Sequence, residues 1–181
     1  KMIIKDSPER PIVKISQSML DYARLLEHKM QMNRTKESEV DTLSGLMGEF
    51  VFAEWWYDDW KKGNSYSNLV DNFGKPDFEG HIEIKSSVFP FSEKLHLPIR
   101  QDYAEKRCPP FYIFVCFNVS NRYKKLITTD TQAIIVGWID GKTAHKGKLE
   151  NMGWVNSFKC YKTPVPKLRP MNELREEFSK Q

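Results

Sequence analysis

Residues 111–118 are the stretch that most constrains how this chain can fold, because they form a continuous apolar run rich in residues that favour β-structure. A strand that is apolar on both faces is typical of the middle of a sheet, where other elements cover it on both sides. A second apolar run at 132–139 is ended by Asp140 and Gly141, a pair that favours turns. We therefore expect a sheet with 111–118 as its buried central strand.

Two segments near the start of the chain predict long helices. Residues 17 to about 32 carry apolar side chains at helical spacing, and Ser16 before them fits an N-cap. Residues 41–60 are apolar nearly all the way round, as expected for a helix buried between layers, and Gly45 and Gly48 would let it approach a sheet closely. Further predicted elements are a short strand at 68–73, a strand at 95–99, a short helix or turn at 100–107, a strand at 154–161 and a terminal helix at 171–179.

Residues 76–87, which read Pro-Asp-Phe-Glu-Gly-His-Ile-Glu-Ile-Lys-Ser-Ser, predict a tight β-hairpin. Side chains on a strand switch faces at every residue. In the second half of the hairpin, Ile82 and Ile84 therefore point to one side, while Glu83 and Lys85 point to the other. One face can then belong to the core and the other can form a polar site.

The apolar residues also predict the register of this hairpin. If Phe78 shares the apolar face, it lies opposite Ile82, and Asp77 then falls opposite Glu83 on the polar face. A slip of one residue would place Asp77 among the isoleucines, which burial disfavours. The loop then has three residues centred on Gly80, which supplies the backbone freedom that a tight turn needs, and the turn type is left open.

The chemistry of the polar face follows from its three charged side chains. Asp77 and Glu83 would repel each other and resist joint ionisation unless a cation lies between them. Oxygen ligands, without His or Cys nearby in the strand, suit a hard ion such as Mg²⁺ or Mn²⁺. Lys85 would lie beside that ion, where it can orient or help deprotonate a bound water or offset transition-state charge. Such a site suits phosphodiester hydrolysis, although the same pattern also fits an exposed hairpin face carrying a Glu/Lys pair for solubility.

The motif Pro76-Asp77, five intervening residues and then Glu83-Ile84-Lys85 resembles the PD-(D/E)xK nuclease superfamily. This superfamily includes restriction endonucleases, Holliday-junction resolvases, phage exonucleases and repair nucleases. The resemblance implies that Asp77 and Glu83 bind Mg²⁺ with help from the backbone carbonyl of Ile84, and that Lys85 positions the attacking water.

The resemblance also implies a fold. It covers about residues 41–119 and implies an α/β protein with a central mixed β-sheet flanked by helices, as in the restriction-endonuclease-like core. We expect a single domain over residues 1–181, in which the N-terminal helix and the C-terminal strands and helix are additions to that core. The additions are the part that would choose a substrate, and the resemblance does not reach them.

Two further residues are candidates for the site. Glu49 is predicted on the packing face of the second helix, where a carboxylate is either a structural group satisfied by a cap or an arginine, or a third acid at the metal. Many members of the resembled superfamily carry a glutamate there, often after glycine, as in Gly48-Glu49. Gln101 resembles the glutamine that follows the lysine strand in several branches, but Glu105 stands where the exonuclease branch has tyrosine.

Composition limits the compartment and the partners. The net charge of +4 allows an acidic partner such as nucleic acid without demanding one. Cys108, Cys116 and Cys160 form no Cys-x-x-Cys pair, so we expect buried free thiols in a reducing compartment. No apolar run has membrane-spanning length and no signal peptide opens the chain. We expect no membrane partner and a place in the cytoplasm of a bacterial or phage-infected cell.

These observations lead to one principal function and one from another class. The principal expectation is a Mg²⁺- or Mn²⁺-dependent DNA endonuclease, of the resolvase or repair type among others. The alternative is a nucleic-acid-binding or assembly module that kept a nuclease-like scaffold without turnover. Basic segments at 121–125 and 142–148 either hold the phosphate backbone or are solvated loops. Cutting both strands of a duplex commonly uses two copies of a site, so a homodimer is included among the expectations.

Overall fold

The structure is a computed structural model that describes residues 3–31, 39–63, 66, 77–121, 123, 126–152 and 158–181. The described strands are β1 (Ile12–Val13), β2 (Ile82–Phe89), β3 (His96–Arg100), β4 (Phe111–Asn118), β5 (Gln132–Asp140), β6 (Lys148–Met152) and β7 (Phe158–Pro164). The described α-helices are α1 (Gln17–Gln31), α2 (Glu39–Tyr57), α3 (Gln101–Ala104), α4 (Gly141–Ala144) and α5 (Leu174–Ser179). Pro76 and the strand expected at 68–73 lie outside the described residues.

The main sheet has four strands in the order β1-β5-β4-β2. β2 and β4 run parallel, while β4 with β5 and β5 with β1 are antiparallel, so the sheet is mixed, as expected. Every residue of β4 is buried, and β4 lies inside the sheet between β2 and β5. The prediction of a buried inner strand at 111–118 is therefore confirmed.

Helices cover one face of the main sheet. Ile82 and Ile84 of β2 pack there with side chains of α1 and α2 in one core cluster. Gly48 of α2 makes this contact close, because a Cβ atom at this position would lie 2.0 Å from Ser86 Oγ and 3.4 Å from Ile84 Cγ2. Gly45 does not contribute as expected: it is exposed, and nothing lies within 4 Å of its Cβ position.

A second sheet covers the other face, so the expected helices flank the main sheet on one face and strands cover the other. This antiparallel sheet has the order β3-β7-β6, and Leu97 and Ile99 of β3 pack with Phe114 and Ile134 of the main sheet. The chain between the parallel strands β2 and β4 must cross the sheet, and it crosses on this face. Its alternating apolar residues at 97 and 99 suit a strand, so a strand supplies the cover.

The predicted boundaries differ from the observed ones in several places. Helix α1 ends at Gln31, and the Ser16 side chain accepts a hydrogen bond from the Met19 backbone as its cap (3.1 Å). Helix α2 begins at Glu39 and ends at Tyr57, because Asp58 adopts a φ of 56° that no right-handed helix allows. Strand β7 ends at Pro164, later than the expected end at 161, and residues 153–157 of the prediction lie outside the described residues. Strand β6 was not predicted because its polar, mostly exposed residues lack an apolar alternation.

The cysteines test one further expectation. Cys116 and Cys160 are buried free thiols, as expected, but Cys108 is exposed, because it lies in the crossover loop before β4. Among the described residues, no helix combines the length and apolarity that a membrane crossing requires.

Candidate active site

The hairpin before β2 has the predicted register. Phe78 and Ile82 form an antiparallel bridge with two backbone hydrogen bonds of 2.9 and 3.0 Å. The three loop residues 79–81 follow from this pairing, and Glu79 and Gly80 both adopt positive φ values, of 54° and 71°. Phe78 is buried in the helix-side core, which is the contact that excludes the alternative register.

Asp77 is held against the open edge of β2. Its Oδ2 atom accepts a hydrogen bond from the backbone N–H of Ile84 at 2.7 Å. Ile82 directs its backbone groups towards the hairpin, and residues two apart on a strand direct these groups to the same side. The carbonyl of Ile84 therefore faces the edge at which Asp77 lies.

The carboxyl group of Asp77 is in an acidic environment. Burial raises the pKa of Asp77 well above its usual range, and the nearby carboxylates of Glu49 and Glu83 raise it further. The Ile84 N–H group and the Lys85 ammonium group oppose this shift without reversing it. The structure therefore brings Asp77, Glu83, Glu49 and Lys85 together, and the close packing of Gly48 on Ser86 is what places the neighbouring Glu49 near β2.

Glu83 is buried, with 5% of its surface exposed, and it is paired with two cations. Its Oε1 atom accepts a hydrogen bond from Arg107 Nη2 and lies 3.8 Å from Lys85 Nζ. Arg107 was not predicted as a site residue. The signal that could have found it is the cost of burying Glu83, because a buried carboxylate needs a cationic partner.

A tyrosine–histidine pair lies on the same face as Glu83 and was also missed. Tyr112 is the partner of Glu83 in the β2–β4 register, and its hydroxyl group lies 2.7 Å from His145 Nε2. Burial raises the pKa of Tyr112, and the Glu83 carboxylate adds to this shift. Burial lowers the pKa of His145, and Glu83 opposes this effect. The segment 142–148 was considered only for its positive charge, so the contact of His145 with Tyr112 was not predicted.

Gln101 lies farther along the chain, at the first position of α3 and directly after β3. Among the described residues, no hydrogen bond joins the Gln101 side chain to the three acids. Its role remains a prediction. Arg122, Lys124 and Lys125 of the basic segment 121–125 lie outside the described residues.

The chemistry of this group of residues fits a hard divalent cation. Three carboxylates and one backbone carbonyl, from Asp77, Glu83, Glu49 and Ile84, could supply oxygen donors of the kind that Mg²⁺ and Mn²⁺ prefer. Within the described ranges, no three His, Cys, Asp or Glu side chains already converge on one metal position. Glu83 can keep Arg107 on one oxygen and use the other as a ligand, since an ionised carboxylate has about four acceptor sites.

Comparisons with protein-family models, with curated proteins and with solved structures found no match. Function is therefore argued from the site.

Proposed function

We propose that this protein is a nuclease that hydrolyses phosphodiester bonds of DNA with Mg²⁺ or Mn²⁺, and that its main sheet is a restriction-endonuclease-like core. The observation that supports this best is the repulsion at Asp77. Burial raises the pKa of Asp77 most, Glu49 and Glu83 raise it further, and Lys85 only partly offsets the two carboxylates. A divalent cation at this edge of β2 would remove that repulsion, and a site that gains stability by binding a cation is suited to holding one.

Each residue of the group has a role in this proposal. Asp77, Glu83 and Glu49, with the Ile84 carbonyl, would hold the cation, which when bound supplies Lewis-acid chemistry at the phosphate. Lys85, whose Nζ lies 3.8 Å from Glu83 Oε1, would orient the attacking water or offset charge on the transition state.

Arg107 has a supporting role. Because it donates a hydrogen bond to Glu83 Oε1, it would fix the orientation of that carboxylate.

One observation favours the second candidate function, a nucleic-acid-binding or assembly module without turnover. Glu83 is already paired with Arg107 and Lys85, so this carboxylate does not require a metal for its burial. These ion pairs do not remove the repulsion at Asp77. In a protein that binds no metal, that repulsion would be an unfavourable interaction without a function. We therefore rank the nuclease first.

A cleavage assay separates the two functions. Plasmid and single-stranded DNA are incubated with the protein in Mg²⁺, in Mn²⁺ and in EDTA, and we expect cleavage with either metal and none with EDTA. Asp77→Ala and Lys85→Ala should each reduce the rate by at least about a hundredfold. Matched controls are Asp130→Ala, in the exposed turn before β5, and Lys14→Ala, beside the opposite edge strand β1.

Circular dichroism and thermal melting of each variant establish that the fold is intact. Cleavage at the unaltered rate in either the Asp77 or the Lys85 variant contradicts the assignment. DNA binding without cleavage under every metal condition supports the second candidate.

A further inference from the structure

A cavity of about 290 Å³ lies beside the acidic group, between the end of β2 and the second sheet. Its polar lining comes from Ser44 of α2, Ser86 and Ser87 of β2, Lys94, His96 of β3 and Lys162 of β7. None of the described residues that line it is acidic. The rest of the lining is apolar and comes from Val88, Phe89, Leu95, Pro98 and Met152. The hydroxyl and cationic groups of the cavity are suited to an anion with several oxygen atoms.

The cations of this cavity have charge available for a ligand. Lys94 is exposed and forms no ion pair with any residue in the described part of the chain. Lys162 binds Glu150 at 2.7 Å, but Lys148 binds the same carboxylate at 3.1 Å, so these three residues together keep one positive charge. Ser86 adds a buried hydroxyl group that has no hydrogen-bond partner among the described residues.

The cavity adjoins the site of the proposed chemistry. Ser86 and Ser87 directly follow Lys85 on β2, and a strand advances about 3.3 Å per residue. The cavity therefore begins within roughly 3–7 Å of Lys85 along the strand. The neighbouring acids repel a phosphodiester, so a DNA strand that reaches them needs positive charge immediately beyond them.

We propose that this cavity binds a backbone phosphate of the DNA strand next to the phosphate that is cleaved. This inference rests on the proposed nuclease function and adds the place where the substrate is held. Lys94 and Lys162 supply the charge, and the serine hydroxyl groups donate hydrogen bonds to the phosphate oxygens.

The test measures binding of a fluorescently labelled oligonucleotide by anisotropy in EDTA, over a range of KCl concentrations. The Lys94→Gln/Lys162→Gln double variant should bind roughly tenfold more weakly, and the slope of log K against log[KCl] should fall by about one for each lysine removed. Lys14→Gln is the control for Lys94→Gln, because Lys14 is also exposed but lies beside the opposite edge strand β1 and does not line the cavity. Lys94→Gln alone, at an exposed position, provides the same test if the double variant does not fold.

The outcomes separate this proposal from the nuclease assignment. If the wild type cleaves DNA but the double variant keeps the wild-type DNA affinity and salt slope, the cavity proposal is wrong. The nuclease assignment is not affected by that result. An equal loss in Lys14→Gln and Lys94→Gln overturns it too, since the effect is then one of general charge. If inorganic phosphate shifts the NMR signals of His96 and DNA does not, the cavity serves a free anion and the proposal fails. A protein that neither binds nor cleaves DNA overturns both.

Discussion

Asp77 is the residue on which the local chemistry depends, because two opposing effects act on one carboxyl group. The Ile84 N–H group binds it in its ionised form, while burial and the carboxylates of Glu49 and Glu83 favour the protonated form. The second set of effects is stronger, since the pKa of Asp77 is raised. Without a cation, an ionised Asp77 therefore costs folding free energy.

Asp77→Asn should reveal this cost as a dependence of stability on pH. The folded protein holds the Asp77 proton more tightly than the unfolded chain, so wild-type stability falls as the pH rises from about 4 through the raised pKa. Asparagine keeps an oxygen for the Ile84 N–H group but cannot ionise. In EDTA, the Tm of the variant should therefore increase relative to that of the wild type as the pH rises. The increase should be roughly 2–4 °C for each kcal/mol of repulsion removed.

Thermal melts at pH 4 to 8 measure this gain, with Asp130→Asn as the exposed control. A constant difference in Tm between variant and wild type at every pH would show that Asp77 is not under electrostatic strain.

Arg107→Gln should separate the folding role of this arginine from metal binding. Removal of the donor leaves the buried Glu83 with only Lys85, so the free energy of unfolding in EDTA should fall by about 1–3 kcal/mol. Loss of the hydrogen bond that orients the Glu83 carboxylate should at the same time weaken Mn²⁺ binding by roughly tenfold or more. Denaturant titration and calorimetry measure the two effects, with Arg24→Gln on the exposed face of α1 as control. Unchanged Mn²⁺ binding in the variant would contradict the placement of the metal at Glu83.

The residues of the site differ in how far the sequence could predict them. Asp77, Glu83 and Lys85 lie within nine residues of one another, and hairpin alternation alone placed them on one edge. Arg107 and Tyr112 reach Glu83 only through the parallel pairing of β2 with β4. That pairing joins segments separated by a whole crossover, and no local pattern encodes it.

At the scale of elements, the contact between α2 and β2 decides where Glu49 lies. It depends on Gly48, which has no side chain to hold the helix away from Ser86. Gly45 lies one turn earlier on the same helix and faces open space. The two glycines have the same helix propensity but different surroundings, and together they form a matched pair.

Alanine substitutions at these two positions should have opposite effects on stability. Gly45→Ala should stabilise the protein by about 0.5–1 kcal/mol, because alanine loses less backbone entropy in a helix. Gly48→Ala should destabilise it by about 1 kcal/mol or more, because its Cβ would lie 2.0 Å from Ser86 Oγ and 3.3 Å from Ser86 Cβ.

Ser86→Ala in the Gly48→Ala background removes the hydroxyl group and should restore part of the loss. Chemical denaturation measures each variant. Equal stabilisation by both glycine substitutions would contradict the close contact.

The elements themselves were predictable to the extent that their own residues determine them. Helix α1 and strands β4 and β5 followed from apolar periodicity and length. The second sheet did not, because β6 has no apolar face and is stabilised by pairing with β7 rather than by burial. A resemblance that ends near residue 119 could not supply it either.

At the scale of the whole molecule, metal binding should raise the thermal stability of the protein, because any ligand that binds only the folded state stabilises that state. At Mg²⁺ or Mn²⁺ concentrations near 100 Kd, we expect Tm to rise by roughly 5–10 °C over EDTA. Asp77→Ala should abolish this rise, and Glu49→Gln should require more metal for the same rise, since each removes a carboxylate of the donor set. Differential scanning fluorimetry with Asp130→Ala as control measures it. If Asp77→Ala shows the same metal-dependent rise in Tm as the wild type, the metal does not bind at Asp77.

The crossover between β2 and β4 affects the order in which the parts of the site form while the chain is synthesised on the ribosome. Glu83 leaves the exit tunnel first, and Arg107 and the strand that holds it follow only after the intervening segment has been synthesised. Contacts between distant parts of a chain form after local ones, because loop closure costs entropy. A nascent chain therefore carries the hairpin and its acids before it carries the arginine that pairs with Glu83, and we expect the proposed nuclease activity to arise only once β4 has docked.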